Sequence, residues 1–371
     1  MEKNAKIYIA GMEGLVGSAI RRNLESKGYS NFISSPFPQY DLRNQAEVEK
    51  FFSENKPDYV FLAAAKVGGI VANNKYRAEF IYDNIMIQSN IIHQSYVFGV
   101  KKLLFLGSSC IYPKFAPQPM KEEHLLTDIL EYTNEPYAIS KIAGLKTVES
   151  YNLQYGTNFF AVMPTNLYGQ NDNFDLEKSH VLPAMIRKMH LAKCLMNKDF
   201  EAIRNDLNKY PIEGIDGKAD QNKILEIIAK YGITSSPEIQ VELWGTGKPK
   251  REFLNSNDLA DACVFLMENV DFKDVLKNEF GVENPKFPII GHEIRNTHIN
   301  IGVGEDQSIK ELAMMIKEIV RYDGKIFWDA EKPDGTPRKL LDVSKLHSYG
   351  WKAKTPLKEG VTEMYRNYIS K

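Results

Sequence analysis

Two periodicities share the first half of the chain. Short unbroken apolar runs at 6–10, 31–35, 59–65, 102–107 and 159–163 read as strands buried on both faces. Between them, apolar residues recur at helical spacing over 16–27, 46–55, 76–98 and 135–155. Gly28, Gly99 and Gly156 stand where helices of that pattern should stop. Strands alternating with helices predict an α/β fold: a doubly wound parallel sheet with helices on both faces. Ligands of such sheets bind beyond the carboxyl ends of the strands.

The order loosens after Pro164. Residues 165–178, rich in Asn and Asp, read as a loop over the strand ends, and 179–195 read as a helix. A polar, Lys- and Asn-rich stretch follows at 197–237, with a helical pattern at 221–231, before a strand at 239–244. The pattern predicts one domain over 1–165. Residues 166–371 should form mainly a smaller C-terminal α/β lobe, with some later segments crossing back to the sheet. A chain of 371 residues has room for both.

Composition narrows the classes. At 43% hydrophobic and 26% charged the chain reads as soluble and globular, and a net charge of −1 gives no basic surplus for nucleic acid. No apolar run approaches the roughly 20 residues of a membrane span. Met1 to Lys6 lead straight into the first strand, which leaves no room for a signal peptide. Cys110, Cys194 and Cys263 are too scattered for a disulfide framework or a zinc site, so no metal is expected. Together these predict a cytoplasmic protein.

Candidate chemistry falls at the predicted strand ends. Gly11, Gly14 and Gly17 form a G-x-x-G-x-x-G turn between the first strand and the first helix. Such a turn lets backbone approach a pyrophosphate and aims the helix N-terminus at it. An ordinary strand–helix turn would also use glycine. Its place at the start of an alternating pattern favours a Rossmann-type dinucleotide-binding domain. Tyr137 and Lys141, four apart, share one face of a helix. An ammonium there should lower the phenol pKa, and Ser108 at a strand end can hydrogen-bond a substrate carbonyl. On its own, Tyr-x-x-x-Lys also describes a surface pair. Behind a glycine turn and a strand-end serine it points to proton and hydride chemistry at a carbonyl or alcohol. Cys110 lies near the same strand end and His180 in the later loop, though a lone cysteine or histidine is more often structural. Arg187, Lys188, Trp244, Arg251, Asp334 and Lys339 would suit a nucleoside diphosphate, or equally a solvated surface.

The runs 63–74 (AAAKVGGIVANN), 102–114 (KLLFLGSSCIYPK), 134–144 (NEPYAISKIAG), 163–169 (MPTNLYG), 244–254 (WGTGKPKREFL) and 332–342 (KPDGTPRKLLD) resemble the GDP-L-fucose synthase family of extended short-chain dehydrogenase/reductases. The likeness covers nearly the whole chain except about 195–240 and parts of 270–297. It implies NADPH-dependent reduction at C4 of a GDP-linked 4-keto-6-deoxy sugar, with epimerisation at C3 and C5. Tyr137, Lys141 and Ser108 fall on the family's reductase positions, and Cys110 and His180 on its proton-exchange positions. Gly11, Gly14, Leu15, Val16, Gly17, Leu106, Gly107, Ser108, Lys141, Pro164, Asn166, Leu167 and His180 fall on cofactor positions. Lys188, Trp244, Arg251 and Asp334 fall on substrate positions. A homodimer through the helices at 76–98 and 135–155 is expected by analogy.

The chain departs from that pattern in four places. Met12-Glu13 replace a His–Arg pair that would hold the 2′-phosphate of NADPH, and no arginine follows the second strand at 34–37. No acid stands there for a free ribose hydroxyl either, so NADPH is kept as the expectation with NADH open. Lys188 replaces an arginine. The stretch between His190 and Trp244 is several times longer than usual, which suggests a larger sugar such as a GDP-4-keto-heptose, reduced at C4 only. A nucleotide-sugar 4,6-dehydratase or 4-epimerase would carry an acid pair after its strand-end serine, where Cys110-Ile111 stand. A non-catalytic dinucleotide sensor would commonly lack Tyr137 or Lys141.

Overall fold

A computed structural model of the chain describes residues 1–235, 238–332 and 334–370. Ser236, Pro237, Pro333 and Lys371, with the side chains of Ile70 and Val71, lie outside that description. The end of the 197–237 stretch and parts of the runs 63–74 and 332–342 are therefore not covered.

The chain begins with β1 (Ile7–Ala10), α1 (Leu15–Ser26), β2 (Phe32–Ile33), α2 (Gln45–Asn55), β3 (Tyr59–Leu62), α3 (Ile70–Lys75), α4 (Arg77–Val97), β4 (Lys102–Leu106), α5 (Glu135–Tyr155) and β5 (Phe159–Pro164). These strands pair in parallel in the order β5-β4-β3-β1-β2. Successive residues of each strand face opposite ways. Ile7, Ile9, Phe61, Leu104 and Val162 enter one apolar cluster, and Tyr8, Ala10, Val60, Leu103 and Met163 the other. Burial on both faces is why these strands read as unbroken apolar runs. Strand order reverses between β1 and β3, the switch point where such sheets bind ligands.

The second half adds β6 (Asn166–Tyr168), α6 (Val181–Met196), α7 (Phe200–Lys209), α8 (Gln221–Lys230), β7 (Ile233–Thr234), β8 (Gln240–Trp244), β9 (Lys250–Arg251), β10 (Phe253–Asn255), α9 (Ser256–Asn269) and α10 (Phe272–Phe280). It closes with β11 (Ile299–Ile301), β12 (Gln307–Ser308), α11 (Ile309–Val320), β13 (Lys325–Asp329), β14 (Arg338–Lys339), α12 (Ser344–Ser348) and α13 (Leu357–Ser370). Several of these segments return to the sheet, among them α10 with Phe272, Val275 and Leu276, and α12 with Leu346. β11 becomes its sixth strand beside β5, and α9 buries Leu259, Cys263 and Leu266 in the cluster that also holds Ile20 and Leu24 of α1. Most of the others build a third cluster of their own, around Leu182, Ile186, Ile203, Leu207, Ile224, Ile228, Val241, Leu312, Ile316 and Tyr368.

The described part of the stretch 197–237 contributes residues from Phe200 to Ile233 to that third core. α7 was not anticipated from its polar composition. Its fully buried apolar anchors are Ile203 and Leu207, one turn apart, with Phe200 and Ala202 partly buried beside them, and Asp199 starts it by accepting from the Ala202 amide at 3.0 Å. Burial of each anchor contributes about 1.5–3 kcal/mol. The structure also moves Arg187 out of the candidate site. Its guanidinium is fully buried, paired with Asp206 of α7 at 2.8 Å and bonded to the carbonyls of Phe174 and Tyr210. It therefore joins α6 to the inserted helix and is not available to a phosphate.

Candidate active site

The glycine turn forms as its spacing demands. Gly11 has φ +80°, and a Cβ there would lie 2.9 Å from the Ala64 amide nitrogen after β3. A Cβ on Gly17 would sit 2.1 Å from the Gly11 carbonyl, so α1 can pack this closely only on glycine. At Gly14 a Cβ would meet only the Gly11 carbonyl at 3.5 Å, which leaves that side open above the helix N-terminus. The first amides of α1 have no partner within the helix, and no side chain caps Gly14. An open cradle at an uncapped helix N-terminus fits the diphosphate of a dinucleotide. Asn171 of the later loop closes over the turn, donating to Ser18 Oγ at 3.2 Å.

Ser108, Cys110, Tyr137 and Lys141 come together beyond β4. Ser108 Oγ accepts from the Cys110 amide at 3.2 Å and caps the short turn that carries the cysteine. Pro136 opens α5, and Gly144 lets that helix lie against Phe105 and Gln88 where a Cβ would clash. The resulting approach buries the Lys141 ammonium, 3% exposed, 2.8 Å from the Leu106 carbonyl. Burial lowers its pKa to about 7. The Tyr137 phenol does not move as its neighbour suggested. Burial pushes its pKa up, Cys110 nearby adds to this, and the hydrogen bond from Ser108 only opposes it. The ammonium is bonded to a carbonyl and stands 5.8 Å from the centre of the ring, so desolvation wins. At neutral pH the phenol is therefore protonated and can act as a proton donor.

Cys110 is partly buried, and its sulfur takes Asn134 Nδ2 at 3.4 Å and Lys339 Nζ at 3.8 Å. Neither neighbour was assigned to it from the sequence, where Lys339 was grouped with the diphosphate candidates. His180 caps α6 at the end of a loop tied to Gly69, whose amide donates to the Lys178 carbonyl at 3.3 Å. Its ring is open to water but walled by protein, and desolvation lowers its pKa, keeping the imidazole neutral. No hydrogen bond joins His180 to the Cys110 group among the described residues.

The remaining candidates lie from the end of β5 onward. Lys188, next along α6 from Arg187, donates to the Glu242 carbonyl at 3.2 Å, and burial lowers its pKa to about 8 against the pull of Glu242. A Cβ on Gly232, at the end of the inserted stretch, would come within 3.5 Å of Lys188 Nζ. Trp244 is 56% exposed, with Lys332 Nζ 5.7 Å from its ring centre. Asp334 accepts from the Thr246 amide at 2.9 Å and from Thr246 Oγ1 at 2.6 Å, so it holds the turn after Trp244. Arg251 lies against Gly335, and burial lowers its pKa while Cys110 and Asp334 oppose the shift. Pro164 ends β5, Leu167 packs on the sheet core, and Asn166 Nδ2 donates to the Glu252 carbonyl at 2.9 Å.

A dinucleotide cradle and a Tyr–Lys pair behind a strand-end serine, on this sheet, define an NAD(P)H-dependent oxidoreductase of the short-chain dehydrogenase/reductase class. The family model described as the NAD dependent epimerase/dehydratase family matches residues 7–206 and 213–279. GDP-L-fucose synthase 1 of Arabidopsis thaliana is 48% identical over 368 residues, covering 99% of this chain and 94% of its own. The GDP-L-fucose synthase of Escherichia coli (strain K12) is 45% identical over 364 residues, covering 98% and 96%. The chain belongs to the NAD dependent epimerase/dehydratase family and, within it, to the GDP-L-fucose synthases. Among solved structures, a GDP-6-OMe-4-keto-L-xylo-heptose reductase from C. jejuni is 45% identical with a TM-score of 0.90, covering 100% of this chain and 99% of its own. A GDP-mannoheptose C4 reductase from Campylobacter jejuni with NADP bound is 44% identical with a TM-score of 0.82, covering 99% of each chain.

Proposed function

We propose that this enzyme reduces C4 of a GDP-linked 4-keto-6-deoxy sugar with NADPH and epimerises C3 and C5. The observation that carries the reading is the convergence of Tyr137, Ser108 and a donor-flanked Cys110 at one strand end. The glycine turn, Leu15, Val16, Leu106, Gly107 and the Pro164–Asn166–Leu167 corner would hold the dinucleotide, which when bound supplies the hydride. Lys188, Trp244 and Arg251 would take the GDP, with Asp334 setting the turn beside Trp244. Carbons flanking a ketone are acidic. Cys110 and neutral His180 exchange their protons, while Tyr137 and Ser108 hydrogen-bond the C4 oxygen. Asn134 and Lys339 offer the sulfur the donors it needs while it holds negative charge. The protonated Tyr137 then gives its proton to the C4 oxygen.

NADPH is supported by the NADP in the heptose relative, although Glu13 lies exposed in the turn. The division near residue 165 and a homodimer through α4 and α5 belong to the same reading. Both helices expose apolar side chains, Tyr82, Tyr96 and Val97 on one and Ile139 and Tyr155 on the other.

A second reading, reduction alone on a GDP-4-keto-heptose, is favoured by the full-length match to a heptose reductase and by Gly232 of the insert standing against Lys188. Reaction in D2O, followed by NMR with the 6-deoxyhexose and the heptose substrates and with NADPH or NADH, decides between them. Deuterium at C3 and C5 together with cofactor oxidation supports the epimerase/reductase. Oxidation without deuterium uptake leaves a plain C4 reductase.

A further inference from the structure

Glu252 lies one residue beyond Arg251, is 0% exposed, and has no cation within ion-pair distance among the described residues. A buried carboxylate is expensive unless it is hydrogen-bonded. This one is held by three backbone amides and by a hydrogen bond from the Thr165 side chain. It accepts from the Val303 amide at 2.5 Å, the Gly304 amide at 2.7 Å and the Leu341 amide at 3.1 Å. Its own carbonyl accepts from Asn166 Nδ2 at 2.9 Å and Thr165 Oγ1 at 3.4 Å. A Cβ on Gly302 would stand 2.3 Å from Glu252 Oε1, so the chain after β11 leaves room for the carboxylate only because glycine is there.

These contacts meet at one junction. Thr165 and Asn166 belong to the corner read as holding the cofactor. Arg251 pairs with Lys339 across β9 and β14, and Lys339 reaches Cys110. Leu341 follows on the same segment. One residue therefore ties the three together: its carbonyl takes the cofactor corner through Thr165 and Asn166, and its carboxylate takes Thr165, the end of β11 and the segment that carries the groups facing the sugar nucleotide.

We propose that Glu252 is a positioning residue that couples the dinucleotide site to the nucleotide-sugar site, so that filling one organises the other. The inference rests on the proposed function, because it takes both sites as read there. Coupling of this kind is reciprocal and commonly amounts to about 5- to 150-fold in affinity.

The test is calorimetric binding of GDP to the protein alone and to the protein saturated with NADPH, and of NADPH with and without GDP. The wild type should bind GDP about 10-fold tighter when NADPH is present, with the same factor in the reverse order. Glu252→Gln keeps one acceptor oxygen but turns an NH2 toward a backbone amide. It should cut the factor to less than about 2-fold while NADPH alone binds within about 3-fold of wild type. Gly302→Ala, which displaces the carboxylate without removing its charge, should do the same and serves if the first variant does not fold. Independent binding of GDP and NADPH in the wild type overturns the coupling and leaves the proposed function standing. Undiminished coupling in a folded variant overturns the role of Glu252. Failure of the wild type to bind either ligand sinks the proposed function itself.

Discussion

A single titrating group gives a prediction that needs no substrate. The Lys141 pKa lies near 7 in the folded protein and near its ordinary 10.5 when unfolded. Between those values the unfolded state binds more protons, so raising the pH across that window stabilises the native state through this group. Lys141→Met removes the dependence. Denaturant titrations should therefore show wild type gaining on the variant from pH 7 toward pH 10, by an amount on the order of a few kcal/mol. Parallel pH curves would mean that the ammonium is solvated. The placement of candidate residues was legible where local order fixed it: Gly11 follows β1 and Ser108 lies just past β4, so a strand end placed each one. It was not legible where distant segments meet. Lys339 lies 229 residues from Cys110, and nothing in its run announces a sulfur partner. Arg187 misled for a simpler reason. Neighbours on a helix point about 100° apart, so Arg187 faces Asp206 while Lys188 faces Glu242.

At the scale of elements, α7 is held to α6 by a fully buried ion pair. Asp206→Ala leaves Arg187 charged and unpaired in the interior, with an expected cost of about 3–5 kcal/mol in chemical denaturation. Replacing both with Leu should cost far less, and equal losses in the single and double variants would show that the charge is not the cause. Removing 197–237 would take Ile203, Leu207, Ile224 and Ile228 out of the core, so a deletion tests folding before it tests sugar preference. Helix bodies in the first half were legible, and α5 has the bounds its pattern implied. β11 was not, because a three-residue strand, Ile-Asn-Ile, carries too little periodicity to be read far from the sheet it completes.

For the molecule as a whole, the exposed apolar faces of α4 and α5 make a quantitative test of assembly. Analytical ultracentrifugation at micromolar concentration should give twice the chain mass for wild type and the single-chain mass for Tyr82→Lys with Tyr96→Lys. A wild-type monomer would remove the dimer from the proposal. The geometry of α6 reaches further. His180 caps this helix and Lys188 lies two turns in, about 12 Å along the axis at 1.5 Å per residue. Arg187, locked to Asp206, keeps the rod from sliding. On the proposed reading, α6 is a ruler laid between the sugar ring and the diphosphate. A substrate with one more carbon cannot lengthen it and must place the extra atoms to one side, so tolerance for bulk is set across the helix rather than along it.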